Sequence, residues 1–219
     1  MIFFNINNNK LLLTKNTSKE EIIQILIRDN IDTAIIYEEI IPNSQFKIDI
    51  LEKDGSYSKM CGNGCIAMCM KFKKNLILFN GLGEKVLTEF NNNFVKLKMN
   101  VKTKNSTDYY VNGEPHKVFF VENYDRNHHE IKGLLNIPEF NTTYIFKKNN
   151  FYYYSTFERG VNNITHACGT GAFAAITYLF NNNLCEIEDK FKLYTLNNDI
   201  YTFKMENEIL ILYFYTNNS

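Results

Sequence analysis

Apolar and polar positions alternate along much of the chain, a period that predicts strands. Aliphatic, β-branched and aromatic runs at 2–6, 33–37, 45–51, 76–79, 85–90 and 94–99 read as strands. Later runs at 108–111, 117–122, 143–147, 151–157, 191–195, 200–205 and 209–215 read the same way. One stretch, about 19–29, has helical spacing instead: Ser18 and Glu21 make a capping box, and Ile22, Ile23, Leu26 and Ile27 form the inner face. Two further segments, 65–72 and 172–180, are apolar on nearly every side, as a helix buried all round must be. Asp54-Gly55 is a hairpin turn, and the Asn7–Asn9, Asn91–Asn93 and Asn181–Asn183 clusters fall where turns are needed. The pattern predicts an α/β (α+β) fold in which a curled, mostly antiparallel sheet wraps a central helix.

The same unit is written twice. Cys61-Gly-Asn-Gly-Cys-Ile-Ala67 and Cys168-Gly-Thr-Gly-Ala-Phe-Ala174 fit one pattern, 107 residues apart. Phe94-Val-Lys-Leu-Lys-Met99 resembles Ile200-Tyr-Thr-Phe-Lys-Met205, 106 residues on. Two landmarks at nearly one offset predict two pseudo-symmetric domains. The first spans 1–105 and carries Cys61; the second spans 106–219 and carries Cys168, with the last strand free to return to the first.

Composition narrows the function. With 24 basic and 24 acidic residues, the formal charge is zero, so no net field recruits nucleic acid or an anionic membrane. The basic cluster Lys71, Lys73 and Lys74 reads as a solvated helix end. No signal peptide or membrane span is evident. An odd count of five cysteines argues against a disulfide framework and for a cytoplasmic thiol protein.

A cysteine placed just before a helix can carry chemistry. Gly-x-Gly lets the backbone turn tightly and leaves free N–H groups. Those amides and the helix dipole suit a carboxylate, and the same field favours thiolate over thiol. Two such motifs facing each other give two thiols and two anion cradles across one cleft. That arrangement can remove an α-proton from one face of an amino acid and return one to the other, with no cofactor and no metal.

The residues around these motifs resemble the diaminopimelate epimerase superfamily. Asp54-Gly-Ser-Tyr-Ser-Lys-Met-Cys-Gly-Asn-Gly64 is similar to its first cysteine signature, and Glu158-Arg-Gly-Val-Asn-Asn-Ile-Thr-His-Ala-Cys-Gly-Thr-Gly171 to its second. Gly113-Glu-Pro-His116 resembles the family's Gly-Asn-Pro-His, and Asn141-Thr-Thr-Tyr its Asn-x-x-Phe. The resemblance implies an isomerase of free amino acids with Cys61 and Cys168 as catalytic thiols and His116 and Glu158 as their supporting groups. It also implies that Asn141 and Arg159 contact substrate, while Gly62, Asn63, Gly169 and Thr170 bind its α-carboxylate. The implied partner is a small-molecule amino acid, with a homodimer left open.

The departures bear on the substrate. The N-terminal Gly-x-Gly-Asn loop lacks its glycines, with Asn9 the nearest counterpart, and the usual Arg five residues after the first thiol is Ile66. Glu52 and Glu114 stand where the family carries Asn, in the pocket for the distal end of diaminopimelate. Two carboxylates there would repel a distal carboxylate and attract a cation. The expected substrate therefore has a basic side chain, with histidine first and lysine, ornithine and arginine after it. The alternative is that Glu52 and Glu114 point elsewhere and the protein is a diaminopimelate epimerase. A non-catalytic amino-acid-binding protein and a thiol redox protein are the rivals from other classes.

The remaining candidates read as structural. Cys65 and Cys69 share a helical face with Cys61 but match no metal-ligand spacing, so they read as core. Cys185 reads as structural, and Tyr152–Tyr154 as packing. His166 could tune Cys168, and His128, His129 and Glu130 read as a solvated helix start.

Overall fold

A computed structural model describes residues 1–122, 124, 139–161, 163–165, 167–186, 190–207 and 209–216. Among these, the first half holds β1 (Ile2–Ile6), β2 (Asn9–Thr14), α1 (Lys19–Arg28), β3 (Thr33–Ile41), β4 (Gln45–Glu52) and β5 (Tyr57–Ser58). It continues with α2 (Gly62–Phe72), β6 (Leu76–Phe79), β7 (Lys85–Asn91), β8 (Phe94–Lys98) and the linking β9 (Val101–Thr103). The second half holds β10 (Asp108–Val111), β11 (Glu114–Phe120), β12 (Asn141–Lys148), β13 (Phe151–Glu158) and β14 (Asn163–Thr165). It ends with α3 (Gly169–Asn181), β15 (Phe191–Tyr194), β16 (Ile200–Glu206) and β17 (Ile209–Tyr215). His128, His129, Glu130 and His166 lie outside the described residues.

The strand pairings repeat. In the first half β1 pairs antiparallel with β2, β2 parallel with β3, β3 antiparallel with β4, and β4 parallel with β6, which leads antiparallel through β7 to β8. Strands β10, β11, β12, β13, β15, β16 and β17 follow the same order with the same senses. The short β5 and β14 lie antiparallel on the ends of β4 and β13. The sheet passes from one half to the other where β17 pairs with β8 and where β9 pairs with β10.

Each apolar helix lies inside its sheet. Helix α2 packs on β1, β2, β7 and β8, and α3 on β10 through β13. Cys65, Ile66, Ala67, Met68 and Cys69 are buried, as are Ala172 to Ile176. The Cys69 thiol donates to the Lys74 carbonyl, and Cys65 rests on Met60, so both are core residues. All five cysteines are free thiols.

Several expectations shift. Strand β2 (Asn9–Thr14) appears where none was expected, because Leu11 and Leu13 join the main core while Leu12 packs under α1. Two covered faces erase the alternation that marks a half-buried strand. On α1 the buried face is Ile22, Ile25 and Leu26, and Ile27 is exposed. At 100° per residue, position 27 lies about 140° from position 22, off the inner stripe. Lys71 is half-buried rather than solvated: its ammonium bonds the Tyr37 hydroxyl and sits over the Tyr37 ring.

Asparagine replaces glycine in the turns. Asn7 and Asn8 join β1 to β2 with φ of 49° and 62°, and Asn149 and Asn150 join β12 to β13 with φ of 51° and 64°. These left-handed pairs suit two-residue hairpins, and Asn tolerates that region better than other non-glycine residues. The missing N-terminal glycines are thus replaced conformationally. That turn delivers Asn9, buried, to the mouth of α2.

Candidate active site

Cys61 and Cys168 are the N-caps of α2 and α3, in extended backbone with φ of −130° and −112°. Gly64 N–H donates to Cys61 Sγ at 3.3 Å, and Gly171 N–H donates to Cys168 Sγ at 3.3 Å. The helices meet end to end. A Cβ added at Gly62 would lie 3.0 Å from Gly169 Cα, and one at Gly169 would lie 3.0 Å from Gly62 Cα and 3.1 Å from Asn63 N. Only glycine allows that approach, and it brings both first-turn amide sets to one cleft.

Nine of the residues singled out from sequence line this cleft: Cys61, Gly62, Asn63, Cys168, Gly169, Thr170, Glu158, Glu52 and Asn9. They enclose a cavity of about 10 Å³, room for one water at most. A larger hollow of about 720 Å³, beside Asn8, Lys192 and Phe214, contains neither thiol.

The other four stand one contact behind. His116 is buried, with Nε2 2.9 Å from Thr170 Oγ1 and Nδ1 3.1 Å from Thr143 Oγ1. Thr170 Oγ1 lies 3.4 Å from Cys168 Sγ, so His116 reaches that thiol through Thr170. Glu114 Oε1 accepts from Arg159 Nη2 at 3.2 Å and from Asn141 Nδ2 at 3.0 Å. Its Oε2 accepts from the Lys59 and Met60 amides at 2.5 and 3.4 Å. The cation that Glu114 attracts is therefore the chain's own Arg159, which corrects its expected role as a free carboxylate facing substrate. Arg159 is likewise held by Glu114 rather than left open.

Sequence reading missed a set of hydroxyl groups that hold the site. Thr33 and Ser58 donate to Glu52 at 2.9 and 2.7 Å, and Thr165 donates to Glu158. Tyr154 OH donates to the Cys168 carbonyl at 2.9 Å. Tyr201 OH donates to Asn63 Oδ1 at 2.7 Å, and Asn63 Nδ2 donates to the Ala167 carbonyl at 2.9 Å. Asn63 also donates to Asn9 Oδ1 within the first half, while its bonds with Ala167 and Tyr201 stitch the mouths of the two halves together. One signal was available: Ser58 and Thr165 each stand three residues before a motif cysteine.

The electrostatics reverse one expectation. Burial pushes both thiols well above their ordinary value, aided by Glu52 at Cys61 and Glu158 at Cys168. The Gly64 and Gly171 amides pull the other way and lose. Both thiols are protonated in this closed arrangement. Burial raises Glu52 to about 8, with Glu158 adding to it, and raises Glu158 to about 7 against the pull of Thr165 and the Cys168 thiol. Burial raises Glu114 too, opposed first by Arg159. His116 is lowered by burial to about 3 and is neutral.

These shifts predict how stability depends on pH. Glu52 and Glu158 bind protons more tightly folded than unfolded, so the stability they confer is complete below the unfolded carboxyl value of 4.5 and falls as pH rises through about 7 and 8. His116 acts oppositely, losing stability as pH falls from 6.5 towards 3. Denaturant unfolding should therefore show wild-type stability dropping from about pH 5.5 to about pH 8.5. Glu52→Gln should flatten part of that drop and be the more stable protein at about pH 8.5, by on the order of 2–3 kcal/mol. An unchanged slope in the variant would contradict the burial of a proton-retaining Glu52.

No family model matches the chain. A diaminopimelate epimerase from Flavobacterium psychrophilum is 31% identical over 161 residues, which are 64% of this chain and 62% of that relative. The chain thus matches less than two thirds of the relative's length. Among solved structures, a Pseudomonas aeruginosa protein designated an epimerase by prediction superposes with a TM-score of 0.71 at 9% identity, covering 97% of this chain and 94% of the other. A hydroxyproline epimerase from Agrobacterium vitis, with trans-4-hydroxy-L-proline bound, gives 0.66 at 12% identity over 97% and 87%. A protein of the PhzF phenazine-biosynthesis family from Enterococcus faecalis gives 0.63 at 11% identity over 94% and 88%. At these identities the structural likeness is one of fold.

Proposed function

We propose that this chain is a member of the diaminopimelate epimerase superfamily and a cofactor-independent racemase or epimerase of a free amino acid. The observation that carries this reading is the abutment of two cysteine-capped helices, which puts two thiols in one buried cleft. One sulfur, as thiolate, takes the α-proton, and the electron pair of the Cα–H bond passes into the substrate carboxylate. The other thiol gives its proton to the opposite face of Cα, and its S–H pair stays on sulfur. The amides at Gly62, Asn63, Gly169 and Thr170 hold the carboxylate as charge builds on it, where preorganised donors contribute most.

The cavity between the thiols is too small to admit an amino acid. The halves 1–105 and 106–219 are proposed to act as two lobes that part to admit substrate and close to exclude water. Both thiols are neutral in the closed site, so one must shed its proton before it can act as base. The substrate ammonium, entering among carboxyl groups, favours that ionisation.

A basic side chain remains the favoured substrate, with histidine first. Glu52 and half-buried Glu158 line the cleft, and Glu114 stands close behind it, ion-paired with Arg159. His116 adds no charge. Among the described residues no lysine or arginine lines the cleft, so a second substrate carboxylate would find no cation there, whereas a cationic side chain would favour ionisation of the carboxyl groups at its rim. The second reading, diaminopimelate epimerase, is favoured by the 31% identity to the Flavobacterium relative.

Incubation in deuterated water with histidine, lysine, ornithine, arginine and diaminopimelate, each read for α-deuterium by mass spectrometry, decides between them. Exchange with histidine or another basic amino acid is expected. Exchange with diaminopimelate alone would overturn the basic-substrate assignment, and exchange with no amino acid would overturn the racemase reading.

A further inference from the structure

We propose that Glu52 is the carboxyl partner of Cys61, the duplicated counterpart of Glu158 at Cys168, and that it positions the Cys61 proton rather than binding the substrate side chain. This goes beyond the assignment of the two thiols and gives the first of them a partner that the sequence resemblance does not supply.

The internal duplication carries the inference. Glu52 is the last residue of β4 and Glu158 the last residue of β13, strands that occupy equivalent places in the repeated sheet. Each strand turns and pairs with a two- or three-residue strand, β5 or β14, that leads straight to a cysteine N-cap. A hydroxyl three residues before each cysteine donates to the carboxyl: Ser58 to Glu52 at 2.7 Å, and Thr165 to Glu158. Both carboxyls line the space between the thiols. The unit Glu, hydroxyl, cysteine is therefore present twice, in one register, around one cleft.

Two further observations separate Glu52 from an ordinary buried acid. Gly160, two residues after Glu158, makes room for it, since a side chain there would run into Glu52 Cβ and Cγ. The loop that follows one carboxyl is thus shaped around the other. His116, in turn, is committed to Thr170 and Thr143 on the Cys168 side. Around Glu52 stand Thr33, Ser58, Glu114 and Glu158; around Cys61 stand Glu52, Glu158 and Cys65. Of these, Glu52 is the foremost charged neighbour of Cys61.

The chemistry follows from one shared proton. When Cys61 gives its proton to Cα, the S–H bond breaks, a C–H bond forms, and the S–H electron pair remains on sulfur. A neutral Glu52 then donates its O–H toward the new thiolate and keeps its own proton. In the reverse direction the thiolate takes the α-proton and the hydrogen bond relaxes. Such coupled groups titrate as a pair. An ionised Glu52 makes Cys61 harder to deprotonate.

The test needs no substrate, so it is independent of the racemase reading. The full-length protein is alkylated with iodoacetamide across a pH series, and modification at Cys61 and Cys168 is read separately by peptide mass spectrometry. In Glu52→Gln the Cys61 profile should move to lower pH, with its rate near pH 8 rising about tenfold while Cys168 stays within about twofold. Glu158→Gln should act chiefly at Cys168. Glu52→Asp, which keeps the acid but withdraws it by one methylene, should move Cys61 in the same direction by less, and serves if the Gln variant does not fold. A Cys61 profile that does not move, or a Cys168 profile that moves equally with Glu52→Gln, would overturn the pairing. Turnover, which does rest on the function proposed above, should fall in kcat on the order of 10²-fold with KM little changed.

Discussion

Replacing either Cys61 or Cys168 by Ala is expected to abolish racemisation, lowering kcat by at least about 10³-fold. Half of the exchange chemistry should survive. Each thiol serves one face of Cα, so a variant retaining one thiol can still remove and return a proton on that face. Cys61→Ala should therefore wash deuterium into one enantiomer with retention, and Cys168→Ala into the other. The two variants also separate the rival classes. A binding protein would keep its affinity in both and exchange nothing in the wild type, because binding uses the Gly62–Asn63 and Gly169–Thr170 amides and not the sulfurs. A thiol redox protein would turn over disulfides with no α-exchange. Full racemisation by either variant would refute the two-base assignment.

The second large effect is expected at the glycines, which carry no chemistry of their own. In Gly62→Ala the new methyl would lie 3.0 Å from Gly169 Cα and 3.1 Å from Gly169 C. In Gly169→Ala it would meet Gly62 Cα at 3.0 Å and Asn63 N at 3.1 Å. These neighbours are backbone at the start of buried helices and cannot swing aside as a side-chain end could. Overpacking of this kind costs about 1–3 kcal/mol, and the structure relieves it by moving the helix ends apart. Separation moves both thiols and both amide sets off the substrate, and a displacement near 1 Å costs about 10²-fold in rate. Each variant should thus lose at least about 100-fold in kcat/KM while unfolding only a few degrees earlier. Near wild-type turnover in Gly62→Ala would show that the helix ends need not meet during catalysis.

The repeat was the legible part. Cys-Gly-x-Gly at two places, with strand runs around it, was enough to predict a curled sheet around two buried helices, because buried helices and half-buried strands leave different apolar periods. Strand β2 escaped because Leu11, Leu12 and Leu13 are covered on both faces. Ile27 was misplaced by counting apolar residues instead of angles. Thiol ionisation was misjudged for a physical reason: the helix N-terminus does pull on Cys61 and Cys168, but burial and the neighbouring carboxyls pull harder. The role of Glu114 could not be read from its position in a motif, since its partner Arg159 is 45 residues away and meets it only in the folded chain. Ser58 and Thr165, by contrast, stood in equivalent places and were readable as a pair.

Taken together, Glu52, Ser58 and Cys61 mirror Glu158, Thr165 and Cys168, so the duplication reproduces an acid-supported thiol and not merely a fold. Such a site works from two sides only if each thiol keeps its own proton. The most direct test follows the wild-type protein converting one pure enantiomer of its substrate in deuterated water, stopped at low conversion. Two opposed thiols predict that the product enantiomer carries deuterium at Cα from the first turnovers while the recovered starting enantiomer retains protium. Deuterium appearing in the recovered starting material as fast as in the product would mean that one group serves both faces, and would contradict the pairing of Cys61 with Cys168.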